Sequence, residues 1–252
     1  DIGVLLANDL LERYRGSGQP VVISTLVSSP MLGRVAASYG ARWEQTLTGH
    51  KWIQNRALEL EEEGYVYLFG YEEALGYAPS SAVRDKDGIS SALLLTDLAS
   101  RLKAQDATLL DARDQLWRKH GFFADRQISV RFEGVDAQAR MDAIIDRCRE
   151  SPPRAVGGQT VLRMLDLERQ LQWTPLAVSP LVTRAPSNLL VFELQGGHQA
   201  MMRPSGTEPK LKYYFYAAAP ARLGQDLFEA KQQAVAVLER MVDDLLNQSN
   251  DC

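Results

Sequence analysis

Apolar positions recur at helical spacing over residues 1–15, where Ile2, Leu5, Leu6 and Leu10 share one face. The segment Arg15 to Pro20 then breaks the pattern. Val21–Val27 is a short apolar run of strand length, and Ser29-Pro30 offers a hydroxyl cap with proline at the first position of a helix reaching Gly40. A second strand is predicted over Ala41–Thr48, a helix over Gly49–Glu63 stopped by Gly64, and a third strand over Tyr65–Phe69. Gly70–Asp87 reads as a loop. Asp87 caps a helix over Ile89–Gln105, and another helix follows over about Thr108–His120. Strands alternating with helices imply crossover connections and a mostly parallel, doubly wound α/β sheet.

Near Gly121 the pattern changes. Ile128–Phe132 alternates as an antiparallel strand does, and Asp136 is expected to cap a helix to about Cys148. Ser151-Pro-Pro-Arg breaks the chain, and strands are expected near 159–166 and 188–194. Gln195-Gly-Gly-His198 reads as a hairpin turn. Lys210–Ala217 is a strand with Leu211, Tyr213 and Phe215 on the buried face, and a closing helix runs from about Ala221 to Asn247. The second half thus reads as a smaller α+β domain with an antiparallel sheet. The expected partition is residues 1–18 as the tail of a preceding domain, 19–121 as the α/β domain and 122–252 as the α+β domain.

Composition adds little. The 252 residues are 45% hydrophobic and 24% charged, ordinary globular values, with a net charge of −4 that gives no sign of a nucleic-acid surface. Cys148 and Cys252 lack metal spacing and do not form a disulfide framework, which fits a reducing cytoplasm. No apolar run of about 18 residues is present, so no membrane partner is expected. The sequence begins inside a helical pattern without methionine and reads as a fragment.

The candidate chemistry sits in three loops. Arg203-Pro-Ser205-Gly206-Thr207-Glu-Pro-Lys210 packs a guanidinium, two hydroxyls, a glycine and an ammonium into eight residues. Arg203 can fork onto two phosphate oxygens, Ser205 and Thr207 offer hydroxyls, and the Gly206 N–H can approach an anion closely. An ordinary polar turn is the alternative. Lys210 and Lys212 share a strand face, and one of them is expected to join the site. Thr48-Gly49-His50-Lys51 lies where a strand ends and a helix begins, which favours an anion; Lys51 ranks ahead of His50, and a plain turn with a solvated lysine is the alternative. In Gly70-Tyr71-Glu72-Glu73-Ala74, carboxylates suit sugar hydroxyl donors, and adjacent positions point to opposite faces, so one glutamate is expected to face a ligand; taken alone, the loop reads rather as a solvated acidic turn. Arg84 and Lys86 follow that loop and either lean toward a phosphate or stay solvated. His120 and His198 read as structural.

RPSGTEPKLKYY resembles the phosphate-binding loop in the last domain of the α-D-phosphohexomutases, the phosphoglucomutase and phosphomannomutase family. TGHKWI and FGYEEALGY followed by RDKDGISSA resemble loops of that family's third domain, in the same order. The resemblance implies that Glu72 contacts sugar hydroxyls, with Thr48, Gly49, Lys51 and Ala74 around it, and that Arg203, Ser205, Gly206, Thr207, Lys210 and Lys212 hold a phosphate. Many members carry serine at the position of Ala74; alanine matches a branch with phosphopentomutase-like enzymes. The family's phosphoserine loop and aspartate-rich metal loop are absent, and Asp85-Lys-Asp87-Gly reads as a turn and helix cap instead. The resemblance implies the substrate-binding half of a mutase whose missing N-terminal domains carry the phosphoserine and Mg²⁺. It also implies a phosphosugar substrate and a hexose bisphosphate activator. A phosphopentomutase, a hexose-bisphosphate synthase and a non-catalytic phosphosugar-binding module are the alternatives.

Overall fold

The structure is a computed structural model that describes residues 1–181, 183, 185–206, 208–220 and 226–250, the side chains of 248–250 excepted. The chain divides into two compact units, Asp1–Gly121 with Pro220–Leu227, and Phe122–Ala219 with Phe228–Cys252.

In the first unit the order is α1 (Ile2–Arg13), β1 (Pro20–Thr25), α2 (Met31–Ser38), β2 (Arg42–Thr46), α3 (His50–Glu62), β3 (Val66–Glu72), β4 (Gly76–Ala78), α4 (Gly88–Lys103) and α5 (Leu109–His120). The sheet order is β2-β1-β3-β4, with β1 parallel to both β2 and β3 and β4 turned back antiparallel on β3. Val21, Ile23 and Tyr67 pack against Ile53, Ala57 and Leu60 of α3. α1 packs on this same sheet: a Cβ at Gly3 would stand 2.7 Å from the Tyr71 ring, so only glycine lets helix and strand approach this closely. Residues 1–18, expected as the tail of a preceding domain, therefore include a helix built into this unit. The reason is its apolar face, for Val4, Leu5, Leu6, Ala7 and Leu11 are all buried. α4 starts where Asp87 accepts the Ser90 N–H at 2.9 Å, and α5 starts at a reciprocal Thr108–Asp111 capping box.

A second correction concerns Gly70–Asp87. It opens as the end of β3 and folds back as β4, with Leu75 at φ 61 in the turn. β3 thus continues to Glu72 and carries the glutamate on a strand end.

The second unit contains β5 (Phe122–Arg131), α6 (Ala137–Glu150), β6 (Ala155–Val156), β7 (Gln159–Asp166), β8 (Leu171–Trp173), β9 (Val178–Pro180), β10 (Leu190–Leu194), β11 (Gln199–Pro204), β12 (Lys210–Ala219) and α7 (Leu227–Asn250). The sheet runs β5-β12-β11-β10-β7-β8-β9, with β6 paired to β7, and every pairing is antiparallel. Leu211, Tyr213 and Phe215 join Leu190, Phe192 and Met202 in a core closed by Ile144 and Met141 of α6 and Leu238 and Met241 of α7. The fold class is thus an α/β unit with a mainly parallel sheet followed by an antiparallel α+β unit. β5 starts at Phe122, six residues before the alternation at Ile128 becomes visible, because its first half pairs with the buried Ala217–Ala219 end of β12. Asp136 precedes α6 without capping it, since its carboxylate pairs with Arg140 at 3.3 Å. Ala221, the expected start of the closing helix, lies outside the described residues.

Candidate functional site

In the first unit, β3 and the hairpin that follows it bring Glu72 to the carboxyl end of the sheet, where open α/β sheets take their ligands. Gly49, at φ 118, donates its N–H to Glu72 Oε1 at 2.5 Å. A hydrogen bond to a carboxylate is worth about 1.5–3 kcal/mol, so this contact fixes the glutamate against the amino end of α3. Glu72 Oε2 stands 3.5 Å from His50 Nε2, and the His50 ring is buried with neither nitrogen hydrogen-bonded. Burial holds the imidazole below its ordinary value; Glu72 pulls the other way and Lys86 adds to the lowering. The neutral ring is a compact, fixed neighbour for the carboxylate.

Gly76 makes this arrangement possible. A Cβ there would sit 2.5 Å from His50 Nε2 and 3.0 Å from Lys86 Cδ, so any larger residue would push the hairpin off the histidine. Glu73 points elsewhere and accepts the Thr25 hydroxyl at 3.1 Å. Thr48 is half-buried beside Gly49, and Ala74 is exposed in the turn. Lys51 is exposed with its ammonium over the Trp52 ring, 5.4 Å from the centroid. Within TGHK it is His50, ranked behind Lys51 in the sequence, that stands at Glu72. The signal that would have shown this is the glycine at 76, which only matters once the hairpin is recognised. Lys86 Nζ pairs with Asp85 at 2.8 Å, and Arg84 reaches Asn55 at 3.3 Å.

In the second unit the Arg203–Lys210 loop joins β11 to β12. Ser205 N–H donates to the Lys210 carbonyl at 2.8 Å, closing the loop, and Phe132 N–H donates to the Pro209 carbonyl at 2.9 Å. Arg203 and Lys212 are direct cross-strand partners, so both side chains stand on one face. Among the described residues neither has a hydrogen-bonded or ion-paired side chain. Lys210 differs: its ammonium pairs with Glu208 at 3.0 Å, and Glu208 also lies 3.6 Å from Arg131. The Lys210 hydrogen bond, aided by Arg131, holds the exposed Glu208 carboxyl below its usual range. Gly206 has open space around its Cα, and Thr207 lies outside the described residues. His198, read as structural, accepts the Ala218 N–H at Nδ1, 2.9 Å away.

Among the described residues no group of three or more His, Cys, Asp or Glu side chains could hold a metal ion. Asp85 is taken by Lys86 and Asp87 by the cap of α4, so the described residues do not fit Mg²⁺. No helix among the described residues is long and apolar enough to cross a membrane.

Residues 1–120 match the family described as phosphoglucomutase/phosphomannomutase, alpha/beta/alpha domain III. A protein of Haemophilus influenzae named "Probable phosphomannomutase" is 36% identical over 219 residues, covering 86% of this chain and 40% of its own length. A Schizosaccharomyces pombe protein named "Probable phosphoribomutase" is 33% identical over 228 residues, covering 86% and 38%. The open form of parafusin from Paramecium, titled a phosphoglucomutase, matches with a TM-score of 0.66 at 18% identity, covering 99% of this chain and 40% of that one. The chain thus spans about 40% of the length of these relatives.

Proposed function

The chain belongs to the phosphoglucomutase/phosphomannomutase family, and from that premise we propose that it supplies the sugar- and phosphate-recognition sites of a phosphosugar mutase. The whole enzyme, on this reading, moves a phosphoryl group between the 1- and 6-positions of a hexose through a bisphosphorylated intermediate. The observation that carries the reading is Glu72. One of its oxygens is fixed by the Gly49 N–H, and the other is left facing a neutral, buried imidazole. A carboxylate held this way accepts hydroxyl hydrogens in one orientation, which suits a sugar ring.

The phosphate falls to Arg203, with Ser205, the Gly206 N–H and Thr207 around it. Lys212 is its second cation, because it stands directly opposite Arg203 and has no carboxylate within ion-pair distance among the described residues, whereas Lys210 is held by Glu208. Thr48, Gly49, Ala74 and Lys51 line the sugar side of the reading. Mg²⁺ and the phosphoserine belong to parts of the enzyme that this sequence does not contain, and a hexose bisphosphate is its activator. A reducing cytoplasm fits the free, buried Cys148, whose thiol burial pushes up to about 11.

A pentose phosphate is the second reading. It is favoured by Ala74, which offers no hydroxyl at the turn of the hairpin, and by the similarity to a protein named as a phosphoribomutase. Calorimetric titration with glucose 6-phosphate, mannose 6-phosphate and ribose 5-phosphate tests the proposal. Binding of these esters, with no response to the free sugars at equal concentration, is expected. Equal binding of free and phosphorylated sugars, or none of either, contradicts it. In a coupled assay with glucose 1-phosphate and its bisphosphate the chain alone should show no turnover; turnover that scales with chain concentration and survives repurification would overturn that part.

A further inference from the structure

A cleft of about 490 Å³ opens among α1, α4 and α5 and the residue that follows α2, Tyr39, inside the first unit. Its walls include Arg15, which precedes β1, and Tyr39, which precedes β2, so it lies at the amino ends of the strands. Gly49 and Glu72 lie at the carboxyl ends. The cleft is therefore separate from the sugar-recognition hairpin.

Its floor is a fixed ionic network. Asp9 is buried; Arg101 donates to its two oxygens at 2.7 and 2.8 Å, and Arg13 reaches Oδ2 at 2.7 Å. Both arginines also reach Asp97, at 3.1 and 3.4 Å, so their charge is compensated within the protein. Two other cations on the wall are not. Arg15 gives Nη1 to the carbonyls of Glu12 and Tyr14, and Lys119 holds its ammonium 5.0 Å from the centre of the Tyr39 ring. Among the described residues neither has a carboxylate within ion-pair distance, and both are exposed. Against them stands one carboxylate on the wall without an ion pair among the described residues, Glu12. Tyr39 donates its hydroxyl to Asn8 Oδ1 at 3.1 Å, which leaves the phenol oxygen and the Asn8 NH₂ group to bind something else.

We propose that this cleft is a second binding site, for a small hydroxylated anion. Arg15 and Lys119 take the anionic head, while Glu12, the Tyr39 oxygen and the Asn8 amide take its hydroxyl groups. The volume lies in the range of small-ligand pockets, and the rigid Asp9 floor keeps the walls apart. A phosphate ester and a hydroxy acid share this chemistry.

The test follows backbone amide shifts by NMR while inorganic phosphate, glycerol 3-phosphate or glycerate is added to the chain. The same titrations are run on Arg203→Ala, to silence the other anion loop, and on Arg15→Gln/Lys119→Gln. Both exchanged residues are exposed, and a matching melting temperature checks the fold of the double variant. Shifts at residues 8–15, 39 and 115–119 are expected, unchanged by Arg203→Ala and weakened about tenfold or more in affinity by the double exchange. Glycerol 3-phosphate or glycerate, whichever binds more tightly, identifies the head group, and inorganic phosphate should bind more weakly than the better of them. Shifts confined to residues 203–212, affinity unchanged by the double exchange, or no shift with any probe would overturn the proposal.

Discussion

On the proposed function, the hairpin around Glu72 and the loop around Arg203 would solve different recognition problems, and their local designs are opposite. Glu72 is boxed in: an amide N–H on one oxygen, a buried imidazole by the other, and a glycine that permits the closure. Arg203 stands in a loop held by the Ser205 N–H on the Lys210 carbonyl and the Phe132 N–H on the Pro209 carbonyl, opposite a second cation, with no carboxylate within ion-pair distance of either among the described residues. A hydroxyl is read by direction, so its acceptor must be fixed beforehand. A phosphate is read by charge and by several donors at once, so spare cations on a permissive turn suffice. Glu208 pairs with Lys210 and lies near Arg131, and it feels Lys212 only at longer range, outside ion-pair distance.

The largest expected effect comes from stripping the second design of its fork. Arg203→Ala should weaken every phosphosugar about a hundredfold, and Arg203→Lys should restore little because an ammonium lacks the planar pair of donors. Calorimetry on glucose, mannose and ribose phosphates checks this; a loss confined to one sugar would show that the loop also reads the ring. Next comes Glu72→Gln, which keeps the shape but not the charge and should cost about tenfold for a sugar phosphate. Glu73→Gln should cost less, since Glu73 is engaged with Thr25. A larger effect at Glu73 would move the sugar contact to the other face.

The two lysines offer a finer division. Lys212→Ala should lower phosphate affinity about fivefold, and Lys210→Ala less, because Lys210 already neutralises Glu208. Equal losses would mean that Glu208 releases Lys210 when an anion arrives.

Acid should also separate the two units, with the smallest effect of all. Burial lowers the pKa of His50, His120 and His198 from 6.5. Well above that value each ring is neutral whether the chain is folded or not. As the pH falls through it, the unfolded chain takes up protons that the folded chain refuses, so stability declines. The first unit holds two of these rings and the second holds one. Hydrogen exchange should therefore show protection falling sooner below pH 6.5 over residues 1–121 than over 122–219, and His50→Gln should reduce the difference. A pH-independent pattern would mean that the rings are hydrated in solution.

Much of the fold was legible because local signals and burial agree. Leu211, Tyr213 and Phe215 alternate toward the core as their spacing requires, and Asp87 and Thr108 cap the helices they precede. The β3–β4 hairpin was not legible, because its turn places Leu75 at φ 61 without the glycine or asparagine that marks such a turn. β8 and β9 escape the pattern for another reason. Each has three residues and exists through pairing with a neighbour, which no local pattern reports. The same limit applies to the site. The motif residues could be listed from the sequence, but the contact of His50 with Glu72 depends on a hairpin closing over Gly76.

The most direct test of the contrast is the ratio of the affinities for glucose 6-phosphate and inorganic phosphate, measured by calorimetry in wild type and Glu72→Gln. The account predicts that inorganic phosphate binds both proteins equally, while the advantage of the sugar ester shrinks about tenfold in the variant. An unchanged ratio, or an equal loss for both ligands, would contradict the division of labour between the fixed carboxylate and the open cationic loop.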